Sequence, residues 1–392
     1  MSFEDRISRM PIPFEPERGE EALEKLPGVT PAVRDLLAGA GGSSPYLASL
    51  IPREADWLEA ALDDPEAALS QILKDVSELA PDQLKSGLRI SKRRVALLTA
   101  LADLGGVWSL EQVTGALTDL ADTTLSAGLR GLLTPELRRG KVPGMTEKDL
   151  ETAAGMVVLA MGKMGAHELN YSSDIDLICL FDESRFDPDD FSDARMSFIR
   201  VTRRLSALMS EPTGDGYVFR TDLRLRPDPS VTPVCIAMEA AERYYESLGR
   251  TWERAAHIKA RPSAGDLAAG DAYLERLRPF IWRKHLDFAA IQDAHDMRLR
   301  IREHKGLRGP LTLEGHDMKL GKGGIREIEF FTQTRQIIAG GRDPDLRARG
   351  TVPALSALSE KGWIPEDVAD ELKALYRTHR EVEHRLQMVA DA

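Results

Sequence analysis

Apolar residues recur at intervals of three and four from about Pro45 to Leu132. This spacing places apolar side chains along one side of an α-helix and predicts a series of amphipathic helices. We assign them to WLEAALDDPEAALSQILKDVSEL, to RRVALLTALADLGG and to a helix that begins after Ser109, a residue type favoured at helix N-termini. The first 30 residues or so are rich in proline and charge and predict an irregular arm.

The pattern changes after residue 133. TPELRRGKVPGMTE predicts a loop, and GMVVLAM, SDIDLICLFD and GDGYVFRTDLRLRP then predict three strands. Between the second and third strands, DDFSDARMSFIRVTRRLSALMSE predicts an amphipathic helix that ends before Pro212. From MEAAERYYESLG onward the helical spacing returns. We therefore predict an α+β fold, with an N-terminal arm and helical region (1–90), a small α/β domain (91–265) and a C-terminal helical domain (266–392).

The amino-acid composition excludes several classes of protein. Of 392 residues 42% are hydrophobic, enough for a sizeable core, and the net charge of −11 argues against broad nucleic-acid binding. The two cysteines show no metal-type spacing, as expected in a reducing compartment. The sequence has neither an apolar signal segment at its start nor an apolar run of about 18 residues. We predict a cytoplasmic protein that binds neither nucleic acid nor membranes.

Carboxylates interrupt the apolar pattern of the second predicted strand. Asp174 and Asp176 project from the same face, with their Cα atoms roughly 7 Å apart. A divalent cation such as Mg²⁺, which prefers oxygen ligands, would relieve the repulsion between them. In the third predicted strand Asp222 shares a face with Arg224 and Arg226. Three such carboxylates suit metal ions that catalyse phosphoryl or nucleotidyl transfer.

A glycine-containing turn, GKMG, separates the first strand from these aspartates. Gly162 and Gly165 let the backbone approach a phosphate group closely. Backbone N–H groups and the Lys163 side chain would then hold the phosphate oxygens, with Ser172 and Ser173 as further donors. The segment matches neither the P-loop nor the dinucleotide-binding glycine pattern.

Each motif taken alone also has a purely structural interpretation. An isolated Asp-x-Asp is more often the solvated face of an edge strand than a metal site. Asp222 with its arginines is compatible with a surface ladder of opposite charges, and GKMG with a simple turn. The three motifs in this order, with a helix between the second and third strands, favour the functional interpretation.

The same order of motifs resembles the polymerase-β-like nucleotidyltransferases. GKMGAHELNYSSDIDLI, DLRLRP, GRTWERAAHIKARPSAGD and KLGKGGIREIEFFTQ resemble more closely the glutamine synthetase adenylyltransferase/adenylyl-removing enzymes, from about residue 30 onward. Those enzymes carry two similar halves. The N-terminal half removes AMP from a tyrosine of glutamine synthetase by phosphorolysis and releases ADP, and the C-terminal half adds AMP from ATP. The segments ELNYSSDIDL and GGIREIEF resemble those of the N-terminal half. The resemblance therefore implies that the chain is this half, cut from a longer protein.

The resemblance also implies roles for individual residues. Catalytic residues and ligands of Mg²⁺ or Mn²⁺ are Asp174, Asp176 and Asp222. Residues at the nucleotide and phosphate end are Gly162, Lys163, Ser173, Arg224 and Arg226.

Two further segments have alternative interpretations. The glycines and Lys322 of KLGKGGIREIEF are expected to close over the nucleotide, whereas Glu327 and Glu329 are equally compatible with charges at a helix N-terminus. Weaker candidates are Trp252, Arg254 and Lys259.

The resemblance implies glutamine synthetase as protein substrate, a PII-type signalling protein as regulator, and a nucleotide and inorganic phosphate as small ligands. Two alternatives remain. The same site could transfer AMP forwards from ATP, or the chain could be a non-catalytic module that senses nucleotide. The intact set of three carboxylates argues against the second alternative.

Overall fold

The computed structural model describes residues 2–284, 292 and 314–389. In this part of the chain helices precede and follow a small mixed sheet, which confirms the predicted α+β fold. Helices predicted for 285–291 and 293–313 lie outside the described residues. Within the described ranges, no helix is both long and apolar enough for a membrane span.

From about Pro45 onward the helices before the sheet follow the predicted spacing. The irregular arm predicted for the first 30 residues or so is wrong, because this segment contains two short helices and buries Phe3, Leu23 and Leu26 in the core. The helices before the sheet are α1 (Phe3–Arg6), α2 (Pro16–Ala22), α3 (Pro31–Ser43), α4 (Pro45–Leu50), α5 (Ala55–Asp63), α6 (Pro65–Glu78), α7 (Leu84–Leu104) and α8 (Leu110–Arg138). Ser109 caps α8 as predicted, because its side chain accepts a hydrogen bond from the N–H of Gln112.

Several boundaries differ from the prediction, and α7 for example begins at Leu84 and not at Arg93. The segment WLEAALDDPEAALSQILKDVSEL forms two helices, because Asp64 caps α6 by accepting from the Ala67 N–H at 2.9 Å and Pro65 occupies its first position. The loop predicted from residue 134 is also wrong at its start. Helix α8 continues to Arg138 through Pro135, and its last turns remain anchored because Leu133 and Leu137 are buried.

Five strands form the sheet, in the order β3-β2-β1-β5, with β4 also paired to β2. They are β1 (Met156–Ala160), β2 (Ile175–Phe181), β3 (Thr221–Asp222), β4 (Cys235–Ala237) and β5 (Arg261–Gly265). Strand β1 runs antiparallel to β2 and β5, whereas β3 and β4 run parallel to β2. The sequence pattern missed β4 and β5, because both are short and β5 contains a proline.

The third predicted strand, GDGYVFRTDLRLRP, is wrong on both sides of Thr221–Asp222, since neither residues 214–220 nor the residues after Asp222 lie in a strand. Only Thr221 and Asp222 pair with β2, and the chain then turns. An Asp222 carboxylate oxygen accepts a hydrogen bond from the Arg224 N–H at 2.8 Å, a local bond that competes with the strand ladder. Asp222, Arg224 and Arg226 therefore do not share one strand face.

The remaining helices of the described residues surround the sheet and follow it in sequence. They are α9 (Gly162–Gly165), α10 (Phe191–Ser210), α11 (Met238–Ser247), α12 (Thr251–His257), α13 (Leu267–Arg276), α14 (Arg278–Ile281), α15 (Ile325–Ala339), α16 (Thr351–Glu360) and α17 (Glu366–Val389). Helix α10 lies between β2 and β3 and ends before Pro212, as predicted. Short 3₁₀ turns occupy Glu147–Leu150, Ala153–Gly155, Glu183–Arg185 and Pro344–Leu346.

Strand β2 is buried on both faces, which fixes where its aspartate points. Alternate residues from Ile175 to Phe181 join a large apolar cluster with α8 and α10. Ile178 and Leu180 join a second cluster with residues of α11, α13 and α14. Asp176 is two residues before Ile178 and therefore projects from the same face of β2 as Ile178 and Leu180. It lies near the start of β2, next to the second apolar cluster.

Candidate functional site

The structure brings two of the predicted carboxylates together at one end of the sheet. Asp176 of β2 is the register partner of Asp222 of β3, and the Ile175 N–H donates to the Arg220 carbonyl at 2.8 Å beside them. Register partners in a parallel ladder project from the same face. Asp174 directly precedes β2, has the same parity as Asp176 and is exposed.

The three carboxylates have different electrostatic surroundings. Burial and then the charge of Asp222 raise the pKa of Asp176 to about 6, while Arg326 acts in the opposite direction. Hydrogen bonds from Arg224 lower the pKa of Asp222 below its usual value. Asp174 accepts a hydrogen bond from Arg220 Nε at 2.6 Å. Of the three carboxylates, Asp176 is therefore the one whose negative charge is least stabilised by its surroundings.

A divalent cation fits this donor set. Carboxylate oxygens are the ligands that Mg²⁺ prefers, and a cation would relieve the unfavourable charge at Asp176. In this structure Arg220 and Arg224 supply positive charge to Asp174 and Asp222. Metal binding would therefore compete with these two ion pairs, both of which are partly exposed.

The three predicted carboxylates do not already form a compact set of metal ligands. In residues 2–284, 292 and 314–389 one group of three metal-type side chains has all its ligand atoms within 4.8 Å, and it consists of Asp119, Asp122 and His167. Asp122 in that group is paired with Arg261 at 2.8 Å and accepts from Ser263. The negative charge of the Asp119, Asp122 and His167 group is therefore partly neutralised by Arg261.

Gly162 lies in close contact with the buried aspartate. It has a positive φ of 54°, and a Cβ atom at this position would lie 2.7 Å from Asp176 Oδ2. The neighbouring Met161 N–H donates to the Asp176 carbonyl at 2.9 Å. The glycine turn thus forms one wall of the carboxylate site, and the absence of a side chain leaves room for the Asp176 carboxylate.

Replacing Gly162 by alanine is expected to displace Asp176 and to strain the backbone. We expect a loss of about 1–3 kcal/mol in the free energy of unfolding and a loss of roughly 100-fold in activity. Gly140 is a matched control, because its φ is 62° and a Cβ atom added there would meet nothing within 4 Å. Denaturant unfolding and catalytic rate should be measured for both variants. Equal activity in Gly162→Ala and Gly140→Ala would contradict the assigned contact.

Lys163, predicted to bind phosphate, forms an ion pair within the chain. Its Nζ lies 3.0 Å from Glu383 Oε1, and 14% of its side chain is exposed. Burial and the charges of Arg380 and Lys319 lower the pKa of Lys163 to about 8, with Glu383 opposing them. Lys163 therefore links the glycine turn to α17.

Two other predicted phosphate ligands are also engaged within the chain. The Ser173 hydroxyl donates to the Asn170 side-chain oxygen. The Arg224 side chain is 82% exposed and forms an ion pair of 2.5 Å with Asp222. Arg224 is therefore placed to neutralise a carboxylate of the site.

The Arg226 side chain forms hydrogen bonds to the backbone of its own loop. Its guanidinium donates to the Leu223 carbonyl at 2.7 Å, to the Pro229 carbonyl at 2.9 Å and to the Thr232 carbonyl at 3.1 Å. Backbone carbonyls that accept from one guanidinium fix the course of a loop. Arg226 therefore shapes the segment that follows β3.

The weaker candidates lie mainly in the interior. Lys259 Nζ donates to Glu168 at 2.9 Å and to Glu329 at 3.1 Å, and all three side chains are buried or nearly so. Arg254 is buried and its Nε donates to the Ile281 carbonyl at 2.9 Å. Trp252 is half-buried on α12, and Lys322 is exposed before α15.

The sequence interpretation missed Arg220, which holds Asp174 and also donates to the Ser172 carbonyl at 2.6 Å. Strand alternation could have found it, because Arg220 lies two residues before Asp222. It also missed Lys319 and Arg326 of the C-terminal region. Lys319 lies 3.7 Å from Glu383, the partner of Lys163, and the charge of Arg326 opposes the rise in the pKa of Asp176. No local spacing connects those two residues to the aspartates.

Comparison with known proteins places this geometry in a family. The family model for glutamate-ammonia ligase adenylyltransferase matches residues 34–276, a range that includes all five strands described above. The chain belongs to the glutamate-ammonia ligase adenylyltransferase family. A second family model, GlnD PII-uridylyltransferase, matches residues 295–392.

Curated relatives agree with this assignment and confirm the family resemblance found in the sequence. Three of them are named bifunctional glutamine synthetase adenylyltransferase/adenylyl-removing enzyme. The Rhodopseudomonas palustris (strain ATCC BAA-98 / CGA009) protein is 48% identical, over 96% of this chain and 38% of the relative. The Bradyrhizobium sp. (strain ORS 278) protein is 50% identical, over 91% and 37%. The Agrobacterium fabrum (strain C58 / ATCC 33970) protein is 46% identical, over 95% and 39%. The chain thus spans less than two-fifths of the length of these relatives.

Proposed function

We propose that this chain catalyses the metal-dependent removal of AMP from an adenylylated tyrosine of glutamine synthetase. Inorganic phosphate is the acceptor and ADP the product. The observation that supports the proposal is the pairing of Asp176 with Asp222 against the Gly162 turn, in a chain related to proteins named as adenylyl-removing enzymes. The regulatory partner is a PII-type signalling protein, and the setting is the cytoplasm.

The reaction requires exchange of one bond at phosphorus. A phosphate oxygen attacks the AMP phosphorus, the bond from phosphorus to the tyrosine oxygen breaks, and the tyrosine oxygen takes up a proton. A metal ion held by Asp174, Asp176 and Asp222 would neutralise charge on the phosphate oxygens. The chain itself supplies the glycine turn, which keeps the Asp176 carboxylate accessible, and the arginines that balance the other two carboxylates.

Whether the chain removes or adds AMP is inferred from sequence segments and not from the carboxylates. The carboxylates suit both AMP removal and AMP addition, because in each reaction an oxygen nucleophile displaces an oxygen leaving group at the AMP phosphorus. The two reactions differ in these groups: phosphate attacks and tyrosine leaves in removal, whereas tyrosine attacks and pyrophosphate leaves in addition. Removal is supported by ELNYSSDIDL and GGIREIEF, which resemble the AMP-removing half of the family. Addition of AMP from ATP is the second candidate, supported by the other activity in the relatives' names.

The decisive assay uses adenylylated glutamine synthetase, inorganic phosphate and Mg²⁺ or Mn²⁺. We expect ADP to appear with loss of the AMP mass from the protein substrate, and only when phosphate and metal are both present. Chromatography of nucleotides and intact-protein mass spectrometry measure the two products. Transfer of AMP from ATP to unmodified glutamine synthetase, without phosphate-dependent ADP release, would overturn the proposed direction.

A further inference from the structure

Helix α17 directs polar side chains toward segment 162–174, which joins the glycine turn to β2. Four of these side chains follow the helical spacing i, i+3, i+4 and i+7, and they are Arg380, Glu383, His384 and Gln387. Arg380 and His384 are buried, and 11% of the Glu383 side chain is exposed. Apolar residues at this spacing would bury the same helix face at a lower cost of desolvation. Stability alone therefore does not account for the polar residues.

Glu383 holds the glycine-turn end of the segment. Lys163 Nζ donates to both carboxylate oxygens of Glu383, at 3.0 and 3.1 Å. Lys163 directly follows Gly162, where an added Cβ atom would lie 2.7 Å from Asp176 Oδ2. The ion pair with Glu383 therefore fixes the backbone that forms one wall of the carboxylate site.

Gln387 holds the other end of the segment. The Ser172 N–H donates to Gln387 Oε1 at 3.2 Å. The Ser172 carbonyl accepts from Arg220 at 2.6 Å, and Arg220 Nε donates to Asp174 at 2.6 Å. A path of hydrogen bonds through Ser172 and Arg220 therefore joins Gln387 to Asp174.

Two further contacts fix the middle of the segment. Arg380 Nη2 donates to the Glu168 carbonyl at 2.7 Å. The carboxylate of Asp103 on α7 lies 2.9 Å from His384 Nδ1 and accepts from the Tyr171 hydroxyl at 3.2 Å. Helix α17 thus meets the segment at four places. Because hydrogen bonds are directional, these contacts define one register of the helix on the segment more strictly than apolar packing would.

We propose that Glu383 and Gln387 are positioning residues for the carboxylates that bind the metal ion. Each acts through the part of the segment that it holds, Glu383 at the glycine turn and Gln387 at the end that precedes Asp174. The inference rests on the proposed function for the divalent cation that the carboxylates would hold. Replacing a residue that orients metal ligands typically lowers metal affinity by about 10- to 100-fold. Helix α17 lies outside residues 34–276, the range of the adenylyltransferase family model.

Mn²⁺ binding tests the proposal without turnover. Titration followed by electron paramagnetic resonance gives the Kd for wild type, Glu383→Gln and Gln387→Leu, and the site is identified by its loss in Asp176→Asn. We expect Glu383→Gln and Gln387→Leu each to raise the Kd about tenfold. Gln387→Glu should bind Mn²⁺ nearly as wild type does, because its carboxylate can still accept from the Ser172 N–H.

Two control variants remove ion pairs of α17 that do not involve the segment. Glu381 is 40% exposed and pairs with Arg9 at 3.1 Å, and Arg377 is 43% exposed and pairs with Glu111 at 2.7 Å. Glu381→Gln and Arg377→Met should bind Mn²⁺ like wild type. Mn²⁺ affinities of the two test variants equal to those of these controls would overturn the inference.

The variants of Gln387 separate positioning from a general loosening of the fold. Recovery of Mn²⁺ affinity in Gln387→Glu supports the inference whatever the melting temperatures of the two variants, because it assigns the effect to the hydrogen bond. A raised Kd in Gln387→Leu that Gln387→Glu does not recover would overturn the inference, because lost packing would then be the cause.

The outcomes also separate this inference from the proposed function. If wild type releases no ADP from adenylylated glutamine synthetase but its Mn²⁺ affinity still depends on Gln387, the proposed reaction fails and the positioning role stands. If wild type releases ADP but has no Mn²⁺ site that depends on Asp176, the positioning role fails and the reaction stands.

Discussion

Asp176→Asn is expected to reduce ADP release by about a thousandfold or more. The amide keeps the shape of the side chain but removes the charge that a divalent cation requires, and metal stabilisation of a phosphoryl transition state amounts to several kcal/mol. Single-turnover assays at saturating Mg²⁺ measure this effect directly. Activity within tenfold of wild type would show that the metal is held elsewhere.

The same substitution is expected to leave the metal-free fold intact or to stabilise it. Burial and Asp222 raise the pKa of Asp176 to about 6, above its usual value of about 3.9. The folded protein therefore holds this proton more tightly than the unfolded chain does, and this contribution to stability is lost as pH rises from about 4 to about 6. At pH 7.5 wild type carries a penalty that the asparagine variant lacks.

Thermal unfolding in EDTA at pH 7.5 and at pH 4 provides the measurement. We expect Asp176→Asn to melt at or above the wild-type temperature at pH 7.5, with the difference disappearing at pH 4. Asp370→Asn is the control, since Asp370 is 64% exposed on α17 and pairs with Lys373. A marked fall in melting temperature for Asp176→Asn alone at pH 7.5 would show that Asp176 supports the fold instead of a metal ion.

Local sequence was sufficient to predict the position of Asp176. The alternation of Ile175, Asp176 and Leu177 determines which side chains enter which face of β2, because strand parity depends only on neighbouring residues. The helices α8 and α10 were predictable for the same reason, since spacing and capping are local. Gly162 also stood out, because a glycine before two aspartates suggests close backbone approach.

Arg224 and Arg226 show where the local sequence pattern no longer predicts the structure. Alternation assumes that the strand continues, but the Asp222 side chain bonds to the Arg224 N–H and the strand ends. Arg226 then turns toward backbone carbonyls. A side chain that can bond its own backbone ends a strand at a point that apolar spacing does not reveal.

Lys163 shows a second limit of the sequence. It follows Gly162, the residue that contacts Asp176, but the partner of its side chain is Glu383, which comes from α17. Lys319, also distant in sequence from the glycine turn, lies 3.7 Å from the same Glu383. Contacts between segments so far apart depend on how the helices pack, and no spacing rule within one segment predicts them.

Lys259→Met is expected to destabilise the protein by about 3–5 kcal/mol, as for one partner removed from a buried ion pair. Lys259 lies between Glu168 and Glu329 at 2.9 and 3.1 Å. Methionine fills similar space but leaves two buried carboxylates without their cation. The charge of Lys259, against the cost of burial, holds the pKa of Glu329 at about 2. Urea unfolding of wild type, Lys259→Met and the exposed control Lys361→Met measures the effect, and the control should change by less than about 1 kcal/mol.

A second substitution distinguishes a structural Lys259 from one that binds substrate. Adding Glu329→Gln removes one stranded carboxylate, and Glu168 keeps a hydrogen bond from the Thr351 N–H at 2.6 Å. The double variant should therefore recover part of the lost stability, because less uncompensated charge remains in the interior. A substrate-binding lysine predicts another result: near wild-type stability for Lys259→Met, a raised KM, and no recovery on replacing Glu329. Partial recovery of stability would establish that Lys259 joins the segment before β5 to α15.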